Sequence, residues 1–168
     1  MKILQFIAII FLVTFSSCEQ ISEKDSQEKF SDKERFKVSN IIDGDTFWTE
    51  NQNNTRFKVR IIGVDAPETR KSSRKEIGFY GQEAKAYLTD LLKGQEVILV
   101  SDVDSLDRYG RTLSYVYLED GTFVNAKLIE NGYASMLTLP PNVKHAALFL
   151  KLQKEAREKS LGLWSKEE

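Results

Sequence analysis

The sequence predicts an α+β domain, a five-stranded OB-fold barrel carrying three helices. Three observations lead there. Residues 36–62 hold three strand-like segments separated by two turn signals. The next apolar pattern, over residues 80–92, has helical spacing and ends at Gly94. Two further strands and two further helices follow. Five strands with a helix between the third and the fourth is the connectivity of that barrel.

The chain of 168 residues divides before the barrel begins. Residues 1–17 read as a signal peptide. Lys2 supplies a short basic start, and residues 3–15 are apolar except for Gln5 and Thr14, a run too short for an ordinary membrane span. Ser16-Ser17-Cys18 follows, with small residues before the chain's one cysteine. This resembles the lipobox of bacterial lipoproteins, although Phe15 stands where an aliphatic residue is usual. The resemblance implies cleavage before Cys18, lipid on its sulfur and stable membrane anchoring. A plain secretory signal is the alternative, and both readings put the domain outside the cytoplasm. Residues 18–35 then read as the lipidated cysteine and a flexible tether, dense in both charge signs and poor in apolar residues. A surface helix is the alternative there. A single cysteine excludes an intramolecular disulfide.

Residues 36–168 form the folded domain. Phe36, Val38, Ile41 and Ile42 mark the first strand, and Asp43-Gly44 turns it. The β-rich run from Thr46 to Thr49 is the second strand, and Asn51-Gln52-Asn53-Asn54 turns again. In residues 56–62, Phe57, Val59 and Ile61 alternate with Arg56, Lys58 and Arg60, which predicts a half-buried strand with solvated cations. Residues 70–75 are basic and lack apolar side chains, as an exposed loop would. In the first helix Ala84, Leu88, Leu91 and Leu92 share a face. Residues 97–100 and 112–118 are the last two strands, the latter with Leu113, Tyr115 and Tyr117 on one face. Asp120-Gly121 turns into a short helix over residues 124–130, closed by Asn131-Gly132. The last helix is expected over residues 142–159, with Ala146, Phe149, Leu150, Leu152 and Ala156 inward and Trp164 docking behind it.

Charge excludes one simple reading. Formal net charge is −1; five of the 24 Lys and Arg and six of the 25 Asp and Glu lie in residues 1–35, so the domain carries nineteen of each. Anion binding must therefore come from local placement and not from the overall field. Local placement is what the motifs offer. Asp43-Gly44-Asp45-Thr46 and Arg60-Ile61-Ile62-Gly63-Val64-Asp65-Ala66-Pro67-Glu68 put carboxylates and an arginine at the ends of apolar strands. Such a set suits a hard cation and an anionic substrate.

With Asp107-Arg108-Tyr109-Gly110-Arg111 as a third motif, the order and spacing resemble the staphylococcal nuclease (thermonuclease) family over residues 36–164; Tyr80-Gly81 and Asn125 also match. The resemblance implies a metal-dependent phosphodiesterase acting on DNA and RNA, usually with calcium, one ion per site, and leaving 3′-phosphate ends. It implies Asp45 and Asp65 as metal ligands, joined by the backbone carbonyl of Ala66. Glu68 would orient or deprotonate the attacking water, with Arg60 and Arg111 on the scissile phosphate and Asp43 in support. Arg108 and Tyr109 would contact a terminal phosphate and a nucleotide ring. Leu137 and Leu139 stand where the best-known member has tyrosines, which removes base stacking. Single-stranded or frayed DNA and RNA are the expected partners, besides the membrane through Cys18; no protein partner is implied and a monomer is expected.

Other readings compete residue by residue. Asp43 is as much a turn former as a functional group, and Arg111 has Asp107 as a structural partner. His145, the one histidine, reads as structural because no nucleophile accompanies it, and Tyr87 and Tyr115 read as core. For the whole chain the alternatives are a non-catalytic OB-fold lipoprotein that binds nucleic acid or a partner, and a calcium-sensing lipoprotein.

Overall fold

The computed structural model describes Phe30, residues 32–70 and residues 77–166. The stretch read as a signal peptide, Cys18, most of the stretch read as a tether and the basic stretch beyond Arg70 lie outside the described residues. Strands β1 (Arg35–Ile41), β2 (Thr46–Glu50) and β3 (Arg56–Ile61) form the meander. A short β4 (Val64–Asp65) precedes helix α1 (Gly81–Leu92). Then come β5 (Glu96–Val100), β6 (Thr112–Leu118), α2 (Val124–Glu130), β7 (Ser135–Met136) and α3 (Ala146–Glu158), with a 3-10 turn at Gly162–Lys166.

The barrel closes in the order β1-β2-β3-β6-β5. Every pairing is antiparallel except β3 with β6. The predicted fold class and helix position are therefore observed. Alternation in β3 holds as well: Val59 and Ile61 are buried while Arg56 and Lys58 are exposed. Phe47, Val59 and Ile61 join Leu88 and Leu92 of α1, and Val97 and Val116, in one apolar core. Strand β6 is buried on both sides. Val116 and Leu118 join that core, and Tyr115, on the other face, packs against Phe149 of α3.

Four features depart from the sequence reading. The last helix starts at Ala146 and not at Asn142, because Asn142 is already committed: its Nδ2 donates to the Asp104 carbonyl and its Oδ1 accepts from the Asp104 N–H, both at 2.8 Å. A side chain bonded to a distant backbone in this way holds its residue outside the helix. Leu150 is 59% exposed and does not join the core, where Phe149 and Ala156 are buried instead. The β4–β7 ladder was not foreseen, since two residues carry no readable period. Phe30 is buried against Tyr117, ring centroids 5.0 Å apart, so packing begins inside the stretch read as tether. Trp164 docks as expected, with the Arg157 guanidinium 4.1 Å from its ring centroid. His145 sits at the start of α3 among aromatic rings, edge-on to Tyr115 at 4.5 Å.

One buried amide ties the barrel to the turn that follows β3. Asn125, fully buried in α2, donates from Nδ2 to the Ile62 carbonyl (2.7 Å) and accepts at Oδ1 from Val116 N–H (2.9 Å). Replacing it by alanine strands two backbone groups in the core. Asn125→Ala is expected to destabilise the fold by about 2–5 kcal/mol, read from urea unfolding, and a loss well under 1 kcal/mol would contradict this account.

Candidate active site

Five elements deliver the predicted acids and arginines to one place. Asp45 ends the turn before β2, and its carbonyl accepts from Ile61 N–H (3.0 Å), which draws the end of β3 against it. Arg60 lies near the end of β3, Asp65 in β4, Glu68 just beyond it, and Arg111 immediately before β6. Asp45, Asp65, Ala66, Glu68, Arg60 and Arg111 line a single small cleft of about 130 Å³, together with Asp43, Thr46 and Pro67.

Arg60 is the hub. Its Nη1 donates to the carbonyls of Ile61 and Val64, both at 2.7 Å. Its Nη2 reaches Asp45 Oδ2 at 3.0 Å and Asp65 Oδ1 at 3.3 Å. Asp45 is buried, 6% exposed, and its oxygens are shared among several donors. Thr46 Oγ1 donates to Oδ1 (2.8 Å) and Ala66 N–H to Oδ2 (2.9 Å). Burial nevertheless pushes the Asp45 carboxyl up to about 6; Arg60 opposes that shift and Asp43 adds to it. Asp43 Oδ1 accepts from Asp45 N–H at 3.2 Å, so it shapes the turn and lines the cleft at once. Asp65 is half-exposed, and its carbonyl accepts from Ser135 Oγ.

Close packing holds the acidic corner against α1. A Cβ on Gly44 would stand 2.6 Å from Ala66 Cβ and 2.9 Å from Ala84 Cβ. Small residues are thus required at all three positions, and this accounts for alanine after Asp65. A Cβ on Gly81 would stand 2.5 Å from the Glu68 carbonyl oxygen, so glycine lets the helix start lie directly on the Glu68 backbone.

Arg111 has the structural partner expected of it and also reaches the cleft. Its Nε donates to Asp107 Oδ2 at 2.6 Å, and it lines the acidic cleft. Asp107 also accepts at Oδ1 from the backbone N–H groups of Tyr109 and Arg111. Burial works against ionisation of Asp107, but these donors prevail and hold its carboxyl below the ordinary range. Asp107 therefore orients Arg111 toward the cleft. Arg108 and Tyr109 do not line that cleft. They border a second one of about 480 Å³, whose wall includes Leu137 and Leu139 and which shares Arg60 and Arg111 with the first. The Arg108 guanidinium lies 4.8 Å from the Tyr109 ring. Sequence reasoning missed the role of Thr46, whereas the pairing of Asp107 with Arg111 is found as that reading had it.

Among the described residues no three His, Cys, Asp or Glu side chains group as a metal-binding cluster. The donors at hand are two carboxylates, Asp45 and Asp65, with Arg60 between them and Ala66 beside them. This all-oxygen set fits a hard divalent cation. A buried carboxylate whose ionised form is under-compensated points the same way, because a cation supplies the missing positive charge.

Comparison with known proteins matches the chain to a family. The family model described as "Staphylococcal nuclease homologue" matches residues 58–166. The chain belongs to the staphylococcal nuclease family. Membership makes it a phosphodiester-hydrolysing nuclease. A thermonuclease of Staphylococcus intermedius is 40% identical over 133 residues, covering 79% of this chain and 77% of that protein. A thermonuclease of Staphylococcus hyicus is 36% identical over 135 residues, 80% of this chain and 78% of that one. An uncharacterized endonuclease of Haemophilus influenzae is 29% identical over 164 residues, 98% of this chain and 79% of that one.

The raised Asp45 pKa sets a pH test. An acid whose folded pKa lies above its unfolded value stabilises the fold fully below about 3.8 and loses that contribution as pH rises through about 6. A cation binds the ionised form and reverses the trend. Added calcium is expected to raise the melting temperature at pH 7.5, less so as pH falls through 6, and not at all in Asp45→Asn. A pH-independent rise, or one that survives the substitution, would place the cation elsewhere.

Proposed function

We propose that this chain is a calcium-dependent phosphodiesterase acting on DNA and RNA, held outside the cytoplasm by lipid on Cys18. The observation that carries the catalytic reading is the one small cleft lined by Asp45, Asp65, Glu68, Arg60 and Arg111. Asp45 and Asp65, with the Ala66 carbonyl, would hold the calcium. When bound, the ion supplies Lewis-acid stabilisation of charge on the phosphoryl oxygens. Hydrolysis by in-line attack builds negative charge on the equatorial oxygens, and two arginines answer it. Arg60 is fixed through Nη1 by two carbonyls, and its Nη2, which here pairs with Asp45 and Asp65, would be shared with the phosphate. Arg111, fixed through Nε by Asp107, offers its remaining N–H groups. A planar guanidinium can fork onto two phosphate oxygens, which a lysine ammonium cannot.

Glu68 is placed on the same wall, its backbone held when Gly78 N–H donates to its carbonyl at 2.9 Å. A carboxylate there accepts a hydrogen bond or proton from the attacking water. The family resemblance implies cleavage of the 5′ P–O bond and 3′-phosphate products. The wall of Leu137 and Leu139 beside the cleft is apolar and offers no aromatic stacking, so a stacked base there would rely on Tyr109 of the same cleft.

Plasmid nicking with calcium, and its loss with chelator, tests the activity. Glu68→Gln and Arg60→Lys are each expected to lower kcat about 100- to 1000-fold with unchanged circular dichroism. Near-full turnover by Glu68→Gln on single-stranded DNA would remove Glu68 from the mechanism. For the anchor, Cys18→Ala is expected to abolish labelling by radioactive palmitate and to release the domain from the membrane fraction. Labelling that persists would locate the lipid elsewhere.

A further inference from the structure

One aromatic and cationic cluster has no part in the chemistry above. Strand β3 turns Arg56, Lys58 and Arg60 outward, while Phe57, Val59 and Ile61 point into the barrel. Its neighbour β2 pairs Thr46 with Arg60, Trp48 with Lys58 and Glu50 with Arg56. The outward face is therefore a ladder that begins at the active-site arginine and steps away from the cleft. On it Trp48 is half-buried, with the Arg56 guanidinium 4.6 Å and the Lys58 Nζ 5.0 Å from its ring centroid. A solvated strand face has no packing requirement for a tryptophan, and two cations converge on this one. Glu50, opposite Arg56, leaves the cluster one positive charge in excess, a local field on a neutral domain.

We propose that this face of β2 and β3 is a second contact for single-stranded nucleic acid, running from the scissile phosphate at Arg60 along β3. Lys58 and Arg56 each take one further phosphate and Trp48 takes a base. The ligand class rests on the nuclease reading; the geometry does not. Alternate residues of a strand stand about 7 Å apart, which matches successive phosphates in an extended single strand. Cations that track the backbone beside an aromatic ring that accepts bases are how single strands are bound without sequence preference. The same strand pair is the oligonucleotide-binding face of OB barrels generally. Phosphates would draw Arg56 and Lys58 off the indole and leave a ring face open to a base.

The test separates this contact from catalysis by working in chelator. Fluorescence anisotropy would follow a labelled oligothymidylate of about 16 nucleotides and a labelled dinucleotide, across a salt series. For the Arg56→Ala, Lys58→Ala double variant the log–log salt slope on the long strand is expected to fall by about 1.4, two phosphate contacts at about 0.7 each. Trp48→Ala is expected to weaken long-strand binding about fivefold or more, and Trp48→Phe to restore most of it. The paired exchange Arg56→Lys, Lys58→Arg should keep the slope, which a merely structural role would not require. The dinucleotide is too short to span the ladder and should keep its affinity. An unchanged slope and affinity in a folded double variant overturns the proposal, as does failure of the wild-type chain to prefer the long strand. A wild-type chain that binds through these residues but cuts nothing with calcium would sink the nuclease reading and leave this contact standing.

Discussion

Arg60 compensates two carboxylates at a corner where three strands meet, and the rest of the site depends on that compensation. Asp45 is buried, and a charge removed from water is costly unless it is paired and hydrogen-bonded. The pairing is made by a side chain that is itself anchored, through Nη1, to the carbonyls of Ile61 and Val64. The guanidinium thus joins the end of β3, the start of β4 and the turn before β2. Charge, backbone satisfaction and chain direction are settled by one residue. Even so, the Asp45 carboxyl stays above its ordinary range, because burial outweighs the single cation beside it.

Packing around that corner is tight where it must not move. Gly44, Ala66 and Ala84 meet at distances that exclude one more methyl group, which locks α1 against the acidic loop. Asn125 does the corresponding work from the other side, joining α2 to the Ile62 carbonyl and the Val116 N–H of β6. Preorganisation of this kind matters for catalysis, since oriented donors cost no reorganisation as charge develops.

Two clefts meet at the arginines. The small one is lined by Asp43, Asp45, Asp65 and Glu68, while the larger one sets Leu137, Leu139 and Tyr109 beside Asp104, Asp107 and Arg108; Arg60 and Arg111 belong to both. On a domain of balanced charge the two arginines are local placement and not an overall field.

Much of this was legible in the residues. Period-two alternation from Arg56 to Ile61 and helical spacing from Ala84 to Leu92 report burial directly, so the barrel order could be read. The Asp-Gly-Asp turn and the Arg60 to Glu68 stretch carried the acids and one arginine of the site in local sequence. Tertiary structure alone decided what depends on partners far along the chain. Asn142 delays the last helix because Asp104 claims its side chain. Leu150 stays outside the core because the rotation of α3 is set by Phe149 and Ala156. Arg108 and Tyr109 fall in a different cleft from Arg111, though they are its neighbours in the chain. The sequence by itself determined the fold class, which is written in short-range period, and its three motifs, through their family resemblance, pointed to the side chains that line the acidic cleft. How Arg60 is shared between Asp45 and Asp65, and which wall each residue faces, was decided only when distant segments packed, since hydrogen-bond partners are chosen by proximity in space and leave no period in the sequence.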